Sequence, residues 1–110
     1  MNIETRDQED IRVIVLDGRL DTNTASEAQA RLTELLDEGN DNVLVDLMNL
    51  DYVSSLGLRV LLVAAKKLSS RGAALRVCNL NDTVRETFEI SGFDTLIRVF
   101  DTEQEALQDF

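Results

Sequence analysis

Apolar residues fall in short blocks along the chain, and two kinds of spacing take turns from block to block. "IRVIVLDG" (11–18) reads as a strand, with Val13, Val15 and Asp17 on one side and Ile11, Ile14 and Leu16 making the rest apolar. Residues 2–6 are expected to form an edge strand before it, joined through the polar turn "DQED". The period then changes. Ala25, Ala28, Leu32, Leu35 and Leu36 recur at helical intervals, Thr24 and Glu27 have capping-box spacing, and Gly39 stops the helix. "NVLVDL" (42–47) is short and nearly all apolar, as a strand buried on both faces should be. The spacing next predicts a helix over 55–71 ended by Gly72, a strand over 74–78, a helix over 82–91 ended at Ser91–Gly92, and a strand over 96–100. Thr102 and Glu105 offer a second capping box, for a short terminal helix.

Strand and helix thus alternate four times after an opening hairpin. That order predicts an α/β fold: a mixed, mostly parallel β-sheet with about four helices packed against it. At 110 residues, with no proline, repeat or linker, the chain reads as a single domain over 1–110 with one modest core. No apolar run approaches the roughly 20 residues that span a bilayer. The polar, acidic start "MNIETRDQED" does not resemble a signal peptide, so a cytoplasmic location and no membrane partner are expected.

Charge narrows the partners. There are 21 acidic and 11 basic residues, for a net charge of −10, and the imbalance sits before residue 54, where 13 acids face 4 bases. No basic stripe is present to hold a phosphate backbone, so no nucleic acid is expected. The acidity fits either simple solubility or attraction to a basic protein surface. Two absences narrow the chemistry. Without histidine there is no Ser-His-Asp or Cys-His pair and no His-containing zinc site. A single cysteine, Cys78, excludes an internal disulfide and a four-thiolate site, and its apolar setting "ALRVCNL" marks it as a packing residue. The chain is therefore not expected to be an enzyme or to carry a metal or other cofactor.

The stretch "NLDYVSSLGLRVLL" (49–62) holds the candidate chemistry. Ser54 and Ser55 stand where the helix begins, and serine is a preferred N-cap because its hydroxyl accepts a bond from a first-turn amide. Three features point further. Gly57 lies in the first turn, where it costs roughly 1 kcal/mol against alanine, which suggests a close backbone or partner. Beside the stripe Leu58, Leu61, Leu62, Ala65 and Leu68, the residues Val60, Val63 and Ala64 are also apolar, so the helix packs on two sides or exposes a docking face. A helix N-terminus favours negative charge, and Arg59 follows Ser55 by four residues, the spacing of an anion–cation pair or simply of a solvated side chain.

The stretch "VLVDLMNLDYVSSLGLRVLL" resembles the signature of the STAS domain family, of the bacterial anti-sigma factor antagonist type. That family carries a strand with an internal aspartate, a short linker, then a phosphorylatable serine, a small residue, glycine and leucine at a helix start. "DGRLDTNTASEAQARL" (17–32) is similar to the family's earlier segment, a glycine and an acid before the first helix. The resemblance covers essentially the whole chain. It puts the phosphorylated serine on Ser55, with Ser54 as runner-up, the strand aspartate on Asp46 and the earlier acid on Asp21. Departures are Ser54 in place of an acidic residue, Leu56 in place of a small one, and Arg59 where glycine is common. Asp21 also fits plain turn chemistry, and the amides of 49–55 are the expected partners of Asp46.

The resemblance implies a partner switch. The unphosphorylated domain would dock through Asp21, Thr22, Ser54, Ser55, Leu56, Gly57 and Arg59 on an anti-sigma factor that is an ATP-dependent serine kinase, releasing that factor's target. Phosphorylation on Ser55 would break the complex and a PP2C-type phosphatase would restore it. The free protein is most simply a monomer. The alternative within the family is a STAS subunit of a lipid-transport ATPase that is never phosphorylated. A nucleotide-binding enzyme is disfavoured, since neither phosphate-loop motif is present.

Overall fold

The computed structural model describes residues 1–39 and 41–110. The described residues form a six-stranded mixed sheet with four α-helices. β1 (Asn2–Gln8) and β2 (Ile11–Leu20) make the antiparallel hairpin, turning tightly at Glu9 in the left-handed region (φ 57°). β2 then pairs in parallel with β3 (Asn42–Asp46), β3 with β5 (Leu75–Cys78), and β5 with β6 (Arg98–Phe100). This is the expected α/β class, with parallel pairing everywhere except the opening hairpin.

Side chains on the strands alternate between two cores, one on each face of the sheet. Ile14, Leu16, Val43 and Val45 point into the main core, together with Leu32, Leu35 and Leu36 of α1 (Ala25–Asp37) and Leu58, Leu61 and Leu68 of α2 (Ser55–Ser69). Val84 and Phe88 of α3 (Asp82–Ser91) close that core. Ile11, Val13, Leu44 and Cys78 face the other side, capped by Ala106 of the short α4 (Glu103–Gln108). Ile11 thus shares a face with Val13, as period two requires, and not with Ile14.

α2 packs on two sides, the first of the alternatives its wide apolar surface left open. Val60 and Ala64 are buried while Leu62 and Ala65 are only half-covered, because α1 lies along that flank. Lys67, near the end of α2, and Arg71, in the turn just after it, both reach the Asp37 carboxylate at 2.8 Å and hold its pKa below the ordinary value. The structure differs from the expected elements at three other points. The Thr24 capping box does not form: Thr24 sits at φ −109°, ψ −11°, and its hydroxyl turns back to donate to the Arg19 carbonyl at 2.7 Å. The last strand is shorter than 96–100, because the amides of Leu96 and Ile97 both donate to the Phe93 carbonyl and close a 3-10 turn. Finally, residues expected as a linker form β4 (Leu50–Val53), parallel to the end of β2.

Candidate functional site

β4 decides where the serines stand. The first half of β2 pairs with β3, and its last residues pair with β4 in the register Gly18↔Leu50, Arg19↔Tyr52, Leu20↔Val53, with a shift at Gly18/Arg19. β3 and β4 are one interrupted strand alongside β2, broken by a turn in which the Leu50 amide donates to the Leu47 carbonyl. Asp46 braces this turn. Its Oδ1 accepts from the Met48 amide (3.0 Å) and from Asn79 Nδ2 (3.1 Å), which accounts for the near-complete burial of this carboxylate. The expected partners for Asp46, amides of 49–55, are not the ones used, since residues 50–53 are engaged in strand pairing with β2.

β2 and β4 end level with each other, and a single residue separates β4 from α2: Ser54. Its backbone is extended (φ −92°, ψ 172°), its amide donates to the Leu20 carbonyl at 2.9 Å, and its Oγ accepts from the Gly57 amide at 3.1 Å. Its own carbonyl accepts from Leu58. The amide of Ser54 is thus tied to the end of β2, while its hydroxyl oxygen and carbonyl start the helix. Ser55 is the first helical residue; its side chain is exposed, and its hydroxyl has no hydrogen-bond partner among the described residues. The pair divides the labour: one serine caps, the other is free.

Gly57 explains why the helix can begin so close to the sheet. A Cβ at this position would lie 2.5 Å from the Leu20 carbonyl oxygen, 2.8 Å from Leu20 Cγ and 3.0 Å from Val53 Cγ2. The close backbone approach suggested by a first-turn glycine is real, and the partner is Leu20. Leu56 (43% exposed) and Arg59 point outward, Leu58 inward. Ser55, Leu56, Leu58 and Arg59 line one wall of an open groove whose other wall is Ser91 and Phe93, at the end of α3.

Asp21 and Thr22 follow Leu20 directly and so flank the same junction. Asp21 is occupied with its turn: Oδ1 accepts from the amides of Asn23 (2.9 Å) and Thr24 (3.3 Å), and Oδ2 lies 3.6 Å from Arg19 Nε. Arg19 in turn stacks on the Tyr52 ring at 4.5 Å. Thr22 is exposed at the tip. The predicted residues therefore gather at one end of the sheet, except Asp46, which acts on the turn behind them. Sequence reasoning missed Leu20, Asn79, Ser91 and Phe93. The signal at Ser91–Gly92 was visible only as a helix end, and Gly57 hinted at a neighbour without naming it.

Chemically, the arrangement presents an unengaged hydroxyl at a helix start, where partial positive charge favours an anion. Among the described residues no cluster of three potential ligands is placed to hold a metal, and no helix is long and apolar enough to cross a membrane. Burial pushes the Cys78 thiol up to about 12, with Asp46 adding to the effect, so it is inert packing as expected.

The STAS domain family model matches residues 2–106. The chain is 39% identical to BtrV of Bordetella bronchiseptica, named as an anti-sigma factor antagonist, over 89% of this chain and 84% of that one. It is 30% identical to the anti-sigma-B factor antagonist of Staphylococcus aureus, over 90% of this chain and 92% of that one. Among solved structures, an anti-sigma factor antagonist from Thermotoga maritima superposes with a TM-score of 0.90 at 19% identity, covering 97% of this chain and 92% of that one, a likeness of fold. From the family match across nearly its whole length and the identity it shares with these relatives, the chain belongs to the STAS domain family.

Proposed function

We propose that this protein is an anti-sigma factor antagonist that works by partner switching, with Ser55 as the phosphorylated residue. The role is regulatory, not enzymatic. One observation carries the choice of serine: Ser54 Oγ is bound to the Gly57 amide at 3.1 Å, whereas Ser55 is exposed and unengaged. Reaction at Ser54 Oγ competes with its cap bond, whereas Ser55 Oγ has no such bond to lose.

In the unphosphorylated form, the start of α2 and the Asp21–Thr22 turn dock on an anti-sigma factor that is an ATP-dependent serine kinase, and its target is released. The Ser55 proton passes to a carboxylate of the kinase, the usual base of protein-kinase chemistry. Transfer of the γ-phosphoryl group of ATP to Ser55 Oγ, with ADP as the leaving group, adds about −1.5 to −2 charges at neutral pH. The fold tolerates this at a helix N-terminus. An interface built on Ser55 does not: burying the added net charge there costs about 2 to 5 kcal/mol, which weakens binding roughly tens- to thousands-fold. A PP2C-type phosphatase removes the group and resets the switch.

The site is tested by incubating the chain with its kinase and ATP and locating the phosphate by peptide fragmentation. Phosphate on Ser55, absent from Ser55→Ala, is expected. Phosphate on Ser54, or none on either serine, overturns the assignment.

A further inference from the structure

Among the described residues, nine of the eleven lysine and arginine side chains lie within 4.0 Å of a carboxylate, as a chain with 21 acids makes easy. The two that do not are Arg59 and Lys66, and both are on α2, the helix that Ser55 begins. Arg59 is one turn along from Ser55, on the same face, and the two line the same groove. Among the described residues it is the only charged one lining that groove. The elements against this turn of the helix bring uncharged groups: Leu20 from β2, Val53 from β4, Ser91 and Phe93 from the end of α3. Asp21 is held by the Asn23 and Thr24 amides and by Arg19, and Glu89 and Asp94 line a separate hollow with Arg85.

We infer that Arg59 is a built-in counter-ion for the phosphoryl group on Ser55. This rests on the phosphorylation of Ser55 proposed above and adds to it. A guanidinium presents a planar fork that matches phosphate oxygens, and Ser55 to Arg59 has the acid-first order that favours an i,i+4 pair. Modification then does two things at once. It places a phosphoryl group on the docking surface, and it withdraws the one free cation that the unmodified surface offers beside Ser55.

The test is a phosphorus NMR titration of the full chain with phosphoserine installed at position 55 during translation. An unpaired phosphoserine has its second ionisation near pH 6. An exposed i,i+4 pair lowers that midpoint by roughly 0.3 pH unit or more. Arg59→Gln is therefore expected to raise the midpoint by that amount, and Lys66→Gln, which removes the other unpaired cation from the same helix, to leave it within roughly 0.1 unit. Coincident midpoints for the wild type and Arg59→Gln overturn the inference, as does an equal shift from Lys66→Gln, which would mean a general charge effect. No kinase takes part, so failure here is distinct from failure of the kinase to use Ser55.

Discussion

Gly57→Ala separates two physical effects of opposite sign. On an isolated helix the change adds about 1 kcal/mol of stability, because glycine is the poorer helix former. In this fold the new methyl group would sit 2.5 Å from the Leu20 carbonyl oxygen, against the 3.4 Å at which contact becomes ordinary. The obstacle is backbone, so the start of α2 has to move about 0.9 Å from β2. That carbonyl is also the acceptor for the Ser54 amide at 2.9 Å, so the move stretches the bond that starts the helix. Overpacking costs about 1 to 3 kcal/mol and a weakened hydrogen bond about 0.5 to 1.5. Set against the propensity gain, the variant is destabilised by about 2 kcal/mol. For a domain of this size that is roughly 8 °C in Tm. Urea unfolding followed by circular dichroism, at constant m-value, measures it. A Gly57→Ala protein as stable as the wild type, or more stable, refutes the close approach and with it the account of how Ser55 is held at the sheet end.

The division of labour between the serines gives a second expectation. Ser54→Ala lowers stability by about 1 kcal/mol through loss of the cap, while Ser55→Ala changes it by less than about 0.5 kcal/mol; equal losses in urea unfolding would contradict the assignment. Cys78 supplies a pH dependence. Its folded pKa, about 12, lies above the ordinary 9.0, so the folded state holds the proton more tightly. Stability from this source is intact below about pH 9 and falls as pH rises from there towards 12, by at most about 1.4 kcal/mol per pH unit. The unfolding free energy of Cys78→Ala, followed from pH 7 to 11, should fall less steeply than that of the wild type, and parallel curves would contradict the burial argument.

Where the sequence was legible, local chemistry and tertiary packing agree. α3 falls on 82–91 as the pattern predicts because its ends are set locally: Asn81 Oδ1 accepts from the Val84 amide, and Gly92 adopts the left-handed conformation that ends the helix. The run 43–47, apolar but for Asp46, is buried throughout, as a two-faced strand requires. The failures come from partners distant in sequence. "LDYV" carries no two-sided apolar signal, and β4 exists because the end of β2 extends past β3 and offers an unpaired edge. Asp46 takes a partner 33 residues away, on Asn79, whose left-handed backbone (φ 61°) places it there. Thr24 had the spacing of a cap but not the conformation. Asp21 already binds the Asn23 and Thr24 amides in the turn leading to α1, and the Thr24 hydroxyl is drawn to Arg19. At the site itself, both serines and Gly57 were legible from cap chemistry; which serine is free was not, since that depends on the Ser54–Gly57 bond.

The most direct measurement is the affinity of this chain for its anti-sigma kinase, by calorimetry, with and without phosphate on Ser55. The phosphate is expected to weaken binding at least roughly 30-fold, the equivalent of about 2 kcal/mol at the interface. Equal affinity for the two forms would contradict a switch built on Ser55.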